Sequence, residues 1–186
     1  MNPFFRKILG KKFDYLGELA ECGLACAKID NAWGFVNLDK EWIIEPQFEQ
    51  AEAFNSQGYA RIKQDGKYGY LRPNGEWAIE PKFDALSDMN ENMIIGARSG
   101  DKWGYINNKG DWLIEPKYEA VEQFPDDGLA RAKDGGKWGY IDIKGNWIVE
   151  PKFDKVGEFG NRDFAQAVLN GVSGWTNQHG EWKERR

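Results

Sequence analysis

The chain has 186 residues, 41% hydrophobic and 15% aromatic, with a formal net charge of −5. That length can carry one domain with a sizeable core, and the acidic balance offers no concentrated basic face, which excludes nucleic acid as the expected partner. No segment approaches the roughly 18 apolar residues of a membrane helix, and the start at Met1 lacks the apolar run and cleavage site of a signal peptide, so a cytoplasmic protein with no membrane contact is expected.

Residues 1–11 precede any pattern. Phe4, Phe5, Ile8 and Leu9 fall near helical spacing behind Pro3 and read either as a short cap or as a tail. Residues 12–186 read as one domain of five repeats with a step of 35 residues. Gly34, Gly69, Gly104, Gly139 and Gly174 keep that step, as do Trp42, Trp77, Trp112, Trp147 and Trp182. So does the aromatic column Phe13, Phe48, Phe83, Tyr118 and Phe153. Further tryptophans, Trp33, Trp103 and Trp138, stand immediately before three of the glycines. A fixed period in this range marks a repeat architecture, in which each unit buries its apolar face against its neighbours.

Each repeat reads in four pieces. An aromatic-led segment such as Phe48–Ala51 is followed by a small apolar one such as Tyr59–Lys63. Then come a Trp-Gly strand such as Lys102–Asn107 and a Trp-led strand such as Trp112–Ile114, closed by Glu115-Pro116. Turn glycines between β-prone runs predict an antiparallel meander, and helical periodicity is absent from the repeats. The chain is all-β. Proline lacks an N–H, so the Glu-Pro pair is expected to mark where the fourth piece leaves the sheet.

Trp33, Phe35 and Val36 make the Trp-Gly strand apolar on both faces, which predicts cover on both. A glycine in mid-strand predicts a large group lying across the backbone, expected here to be a neighbouring aromatic ring. The alanine-rich second piece suits a crowded inner strand, while Arg61, Lys63, Arg131 and Lys133 at alternate positions give it one wet face. The chain opens on the first piece and closes on the fourth, at Trp182. Five copies of each favour a five-bladed β-propeller whose first strand completes the last blade. An open β-solenoid of stacked repeats is the alternative.

Lys-Trp-Gly-Tyr-Ile followed by Gly-x-Trp-x-Ile-Glu-Pro-x-Phe-Asp resembles the WG-repeat (KWG-repeat) family of bacterial proteins, over about Lys12 to Trp182. The match is close in repeats two to four and looser in the first. It is poor in the fifth, where Ser173-Gly174-Trp175-Thr176 replaces Trp-Gly-Tyr-Ile. The resemblance implies a bacterial repeat protein that serves as a binding scaffold, and it brings no catalytic residues with it.

No catalytic, metal or cofactor site is expected from the residues themselves. His179 is the only histidine and falls in a turn. Cys22 and Cys26, if on one strand, stand about 13 Å apart, beyond the roughly 7 Å a disulfide spans. Two free thiols are expected. Glu45, Glu80, Glu115 and Glu150 repeat with the period, whereas a glycosidase-type pair needs unlike carboxyls at one point. These glutamates are expected to accept hydrogen bonds from Lys67, Lys102 and Lys137. The glycine-rich turns are followed by no helix and complete no phosphate loop.

Specificity then falls to the variable positions, since loops and varied columns on a rigid scaffold carry recognition. The second strand varies as Cys26, Arg61, Gly96, Arg131 and Gln166, and the loops before it include Asp126 and Asp127. Arg61, Arg131, Gln166, Asp126 and Asp127 are the candidate binding residues. The expected function is a non-catalytic protein-binding scaffold, of the kind that inhibits or neutralises another protein. The alternative is a lectin-like glycan or small-ligand binder with tryptophan-lined pockets between repeats.

Overall fold

The computed structural model describes residues 13–125, 128–160 and 162–185. The expected N-terminal cap, together with Asp126 and Asp127, lies outside the described residues. The described strands form five four-stranded antiparallel sheets. Sheet 1 holds β1 (Tyr15–Leu16), β2 (Ala25–Ile29), β3 (Ala32–Val36) and β4 (Trp42–Phe48). Sheet 2 holds β5 (Gln50–Ala51), β6 (Ala60–Gln64), β7 (Lys67–Leu71) and β8 (Trp77–Phe83). Sheet 3 holds β9 (Ala85–Leu86), β10 (Ile95–Ser99), β11 (Lys102–Ile106) and β12 (Trp112–Tyr118). Sheet 4 holds β13 (Ala120–Val121), β14 (Ala130–Asp134), β15 (Lys137–Ile141) and β16 (Trp147–Phe153). Sheet 5 holds β17 (Lys155–Val156), β18 (Phe164–Leu169), β19 (Val172–Asn177) and β20 (Trp182–Glu184). The chain divides into two compact halves, Met1–Asp84 with sheets 1 and 2 and Ala85–Arg186 with sheets 3 to 5.

Every sheet is a consecutive meander, and no ladder among the described residues joins one sheet to another. A stacked solenoid would pair strands of successive repeats; here each repeat closes its own sheet, as a propeller blade does. The expected completion of the last blade by the first strand is not found. Tyr15 and Leu16 pair instead with Lys28 and Ala27 of β2. A two-residue first strand also explains how 35 residues suffice for four strands.

The fourth strand corrects two expectations. In sheet 4, Tyr140 pairs with Val149 and Trp138 with Phe153, so the single residue Gly139 faces three residues on β16. Those three, Glu150-Pro151-Lys152, form a bulge inside a seven-residue strand. A bulge leaves residues out of the ladder, which accommodates a proline without an N–H. Glu-Pro therefore bends the fourth strand rather than ending it, and the aromatic column closes that strand instead of opening the next sheet. The bulge also occupies the space over the glycine. A Cβ on Gly34 would lie 2.5 Å from the Ile44 carbonyl oxygen, 2.8 Å from Pro46 N and 2.9 Å from Glu45 C. The equivalent atoms crowd Gly69, Gly104 and Gly139. Backbone, not an aromatic ring, excludes a side chain there; at Gly174, in the repeat without Glu-Pro, the Lys183 carbonyl oxygen does so together with the Trp182 indole.

Within each half the sheets stack large against small. Tyr105, Ile114 and Tyr118 of sheet 3 pack on Phe124, Ala130, Ala132 and Ile141 of sheet 4. Tyr140, Val149 and Phe153 of sheet 4 pack likewise on Phe159, Ala165 and Ala167 of sheet 5. In the N-terminal half, Phe35, Ile44 and Phe48 of sheet 1 meet Phe54, Ala60, Ile62 and Leu71 of sheet 2. The alanines of the second strand are thus the seats for rings from the sheet before. Burying one such ring fully, as for Phe153, contributes about 1.5–3 kcal/mol. At the turn of the following sheet, the Tyr118 hydroxyl and Lys117 Nζ both donate to the Gly145 carbonyl, at 2.8 and 3.0 Å. Burial pushes the Tyr118 phenol up to about 12.

The lysine before the Trp-Gly pair finds a different acid from the one expected. Lys67 pairs with Asp84 and Lys137 with Asp154, whereas Glu45, Glu80, Glu115 and Glu150 all point to solvent. The acids after the aromatic column also accept from the next hairpin turn: Glu49 from Gly66 N–H, Glu119 from Gly136 N–H and Asp154 from Gly171 N–H. The cysteine geometry changes as well. Cys22 is exposed in a turn and Cys26 is buried in β2, so they do not share a strand.

Two outcomes test this frame. Gly139→Ala should destabilise the protein by about 2 kcal/mol or more, as overpacking against backbone does. Gly157→Ala, whose Cβ would meet nothing nearer than 3.5 Å, should leave the urea midpoint nearly unchanged. The second concerns acid. Lys137, and then the Gly171 N–H, hold the Asp154 carboxyl below its ordinary 3.8. A depressed carboxyl stabilises the fold above the unfolded value, and that contribution is lost as pH falls below 3.8 and through the folded pKa. Asp154→Asn should lower the melting temperature at pH 7 and shrink the gap between wild type and variant at pH 3.

Candidate binding surface

The variable column sits beside a nearly constant aromatic one. Cys26 pairs with Phe35, Arg61 with Tyr70, Gly96 with Tyr105, Arg131 with Tyr140 and Gln166 with Trp175. Each pair stands on the central strands of its sheet. Its surroundings decide what the side chain does.

Arg131 is engaged between sheets 4 and 5. Its Nη2 lies 2.9 Å from Glu158 Oε1 and its Nη1 donates to the Val156 carbonyl at 3.3 Å. Glu122 adds a second carboxylate at 3.9 Å. The guanidinium therefore clamps the first strand of sheet 5 and the residues after it. Arg61, in the N-terminal half, is held by Glu52 through its Nε at 3.1 Å and its Nη2 at 2.6 Å. Both arginines are half-buried and committed to carboxylates of their own chain. The structure does not bring the five candidate residues to one point: Arg61 belongs to one half, Arg131 and Gln166 to the other.

Gln166 stands differently. It is exposed, and with Trp175 it lines a cleft on sheet 5 of about 290 Å³. Lys155, Val168, Ser173 and Arg185 complete its rim. A second hollow of about 280 Å³ continues past Gln166 and Trp175 to Glu158, Arg162 and Phe164. Phe164 is 52% exposed. A half-buried indole and three cations, Lys155, Arg162 and Arg185, on one sheet face make a site suited to a chain carrying apolar and acidic groups. It offers no reacting constellation: the carboxylate present, Glu158, is exposed and salt-bridged, and His179 is an exposed turn residue. Among the described residues no group of three or more His, Cys, Asp or Glu is placed to hold a metal.

The tryptophans before the repeated glycines are half-buried rather than covered on both sides. Cations occupy two of their ring faces, Lys28 over Trp33 at 5.7 Å and Arg98 over Trp103 at 5.8 Å, an arrangement that is itself attractive. A sugar would have to displace them.

Comparison with known proteins agrees with the repeat. A family described as WG containing repeat matches residues 33–68, 68–103, 103–138 and 138–172. The chain belongs to that family. No curated protein matches it. Among solved structures it is similar to Hsv2 of Kluyveromyces lactis, with a TM-score of 0.54 at 13% identity over 89% of this chain and 61% of that one. Hsv2 of Kluyveromyces marxianus gives a TM-score of 0.52 at 12% identity, covering 86% and 60%. A eukaryotic initiation factor gives 0.56 at 7% identity, covering 100% and 58%. This WG-repeat chain spans about three-fifths of the length of those structures. At such identities the likeness shows the fold, five propeller-like blades of four strands.

Sequence reasoning missed the cleft on sheet 5, because Arg185 replaces the glutamate of its column and Trp175 stands two places past the Trp-Gly tryptophan column. The column Phe35, Tyr70, Tyr105, Tyr140, Trp175 was the available signal. For Arg131, the structure predicts a small structural effect. Arg131→Ala should lower stability by less than about 1 kcal/mol, the range of half-exposed ion pairs, as read from the urea midpoint.

Proposed function

We propose that this WG-repeat chain is a non-catalytic protein-binding scaffold of the bacterial cytoplasm, acting on another protein by covering it, as an inhibitor or immunity protein does. The observation that carries this reading is the surface of sheet 5. The face that sheets 3 and 4 turn towards a following sheet is, on sheet 5, exposed at Gln166 and half-exposed at Trp175. A surface whose equivalents bury a whole protein sheet is shaped for polypeptide. The acidic net charge of −5 speaks against a nucleic-acid partner. No helix among the described residues is long and apolar enough to cross a membrane. The cations over Trp33 and Trp103 weigh against a lectin with equivalent pockets in every repeat.

The test is affinity capture with the purified protein, followed by reconstitution of any captured species from purified components. The expected result is one protein at near-unit stoichiometry, lost with Trp175→Ala and kept with Arg131→Ala. Saturable binding of sugars in a glycan panel, with several equivalent sites, would replace this reading with the lectin-like one.

A further inference from the structure

Within each half, the aromatic residue after the repeated glycine meets the same kind of segment from the next sheet. Phe35 meets Phe54 at 4.6 Å, Tyr105 meets Phe124 at 5.0 Å and Tyr140 meets Phe159 at 4.6 Å. The segments are Gln50-Ala51-Glu52-Ala53-Phe54, Ala120-Val121-Glu122-Gln123-Phe124 and Lys155-Val156-Gly157-Glu158-Phe159. Each has a small or branched apolar residue second, a glutamate third or fourth and a phenylalanine fifth. The tyrosine hydroxyl caps the segment's backbone: Tyr105 donates to the Glu122 carbonyl at 2.6 Å and Tyr140 to the Gly157 carbonyl at 2.8 Å. The residue paired with Tyr140, Arg131, takes the segment's glutamate, Glu158.

Sheet 5 presents the same face with different groups. Trp175 holds the aromatic position and Gln166 the position of Arg131. Indole N–H is a donor like the tyrosine hydroxyl, and the glutamine amide donates as the guanidinium does. Lys155 and Arg185 stand at the rim of the cleft, where they favour a carboxylate.

We infer that the Gln166–Trp175 cleft docks an extended, acidic, phenylalanine-ended segment of a partner protein, of the form apolar-x-Glu-Phe or apolar-Glu-x-Phe. The inference rests on the protein-binding reading above and names the chemistry of the partner. Its phenylalanine packs on the Trp175 indole, its backbone carbonyl accepts from Nε1, and its glutamate faces Gln166 and the rim cations. The first sheet does not compete as an equivalent end, because Ala27, Val36 and Trp42 on its own opposite face are already buried.

The probe is a synthetic peptide with the sequence of residues 154–160, DKVGEFG, a segment of this form whose glutamate is the one that meets Arg131. The intact protein is titrated with it, and the indole N–H resonance assigned to Trp175 by substitution is followed. Saturable binding is expected, weakened at least tenfold by Trp175→Ala and by replacing the peptide's phenylalanine with alanine. Gln166→Arg should tighten binding severalfold, because it restores the partner that Glu158 has in Arg131; this variant tests the site even where Trp175→Ala perturbs folding. Absence of binding, or equal binding by Trp175→Ala or by the alanine peptide, overturns the inference. A concentration-dependent dimer in sedimentation, lost with Trp175→Ala, overturns it in favour of a second copy as the occupant. A captured partner that depends on Trp175 while the peptide fails to bind would sink the segment chemistry alone; absence of both would sink the binding reading too.

Discussion

The structure depends on one close approach, the glycine of the Trp-Gly pair against the bulged backbone of the fourth strand. In sheets 1 to 4 the space a Cβ would need is taken by a carbonyl oxygen, a carbonyl carbon and a proline nitrogen. Only glycine permits this, and the bulge in turn sets where the fourth strand goes. Past it, the strand carries Phe48, Phe83, Tyr118 or Phe153 to a fully or almost fully buried position. In sheets 1, 3 and 4 that residue lies opposite the Trp-Gly tryptophan, as Phe48 with Trp33, Tyr118 with Trp103 and Phe153 with Trp138. The acid that follows is then placed to accept the next turn's N–H, as Glu119 and Asp154 do. One glycine thus governs the register, the aromatic contact and the hairpin that follows.

Stacking follows from the same geometry. Each sheet offers rings on one side and alanines on the other, and Tyr118 against Ala130 and Ala132 shows the fit. Large against small packs densely only if the partner is the next repeat in phase, which a strict 35-residue step guarantees. Polar groups are handled at the same seams. Tyr105, Tyr118 and Tyr140 each give a hydroxyl to a carbonyl of the following sheet, so burial of the phenol costs little.

The repeat, its period and its all-β character were legible because they are written as identical residues at constant spacing. The four-piece reading was nearly right, yet it assigned Phe48 and its equivalents to the wrong strand, because a Glu-Pro pair reads locally as a strand end. Only the pairing of Trp138 with Phe153 and Tyr140 with Val149 reveals three residues facing one. The same bulge explains why a ring was expected over the glycine: sequence shows that space is taken, not by what. Lys137 was given the wrong acid for a related reason, since Glu150 lies on the bulge and points outward while Asp154 lies beyond it. Of the candidate site, Gln166 was visible as a variable position. Arg61 and Arg131 were equally variable, and their partners Glu52 and Glu158 lie in loops whose return path no periodicity encodes.

The fifth repeat departs from the others where a following sheet would make demands. It has no Glu-Pro, so β19 and β20 run in plain register from Gly174–Glu184 to Thr176–Trp182, with no three-for-one bulge. Tyrosine gives way to Trp175 and arginine to Gln166, each retaining a donor while losing the fixed partner the next sheet supplied. The larger ring and a neutral donor stand beside Lys155 and Arg185, so the exposed face of sheet 5 keeps an aromatic and a donor at the two positions that sheet 4 uses to hold sheet 5.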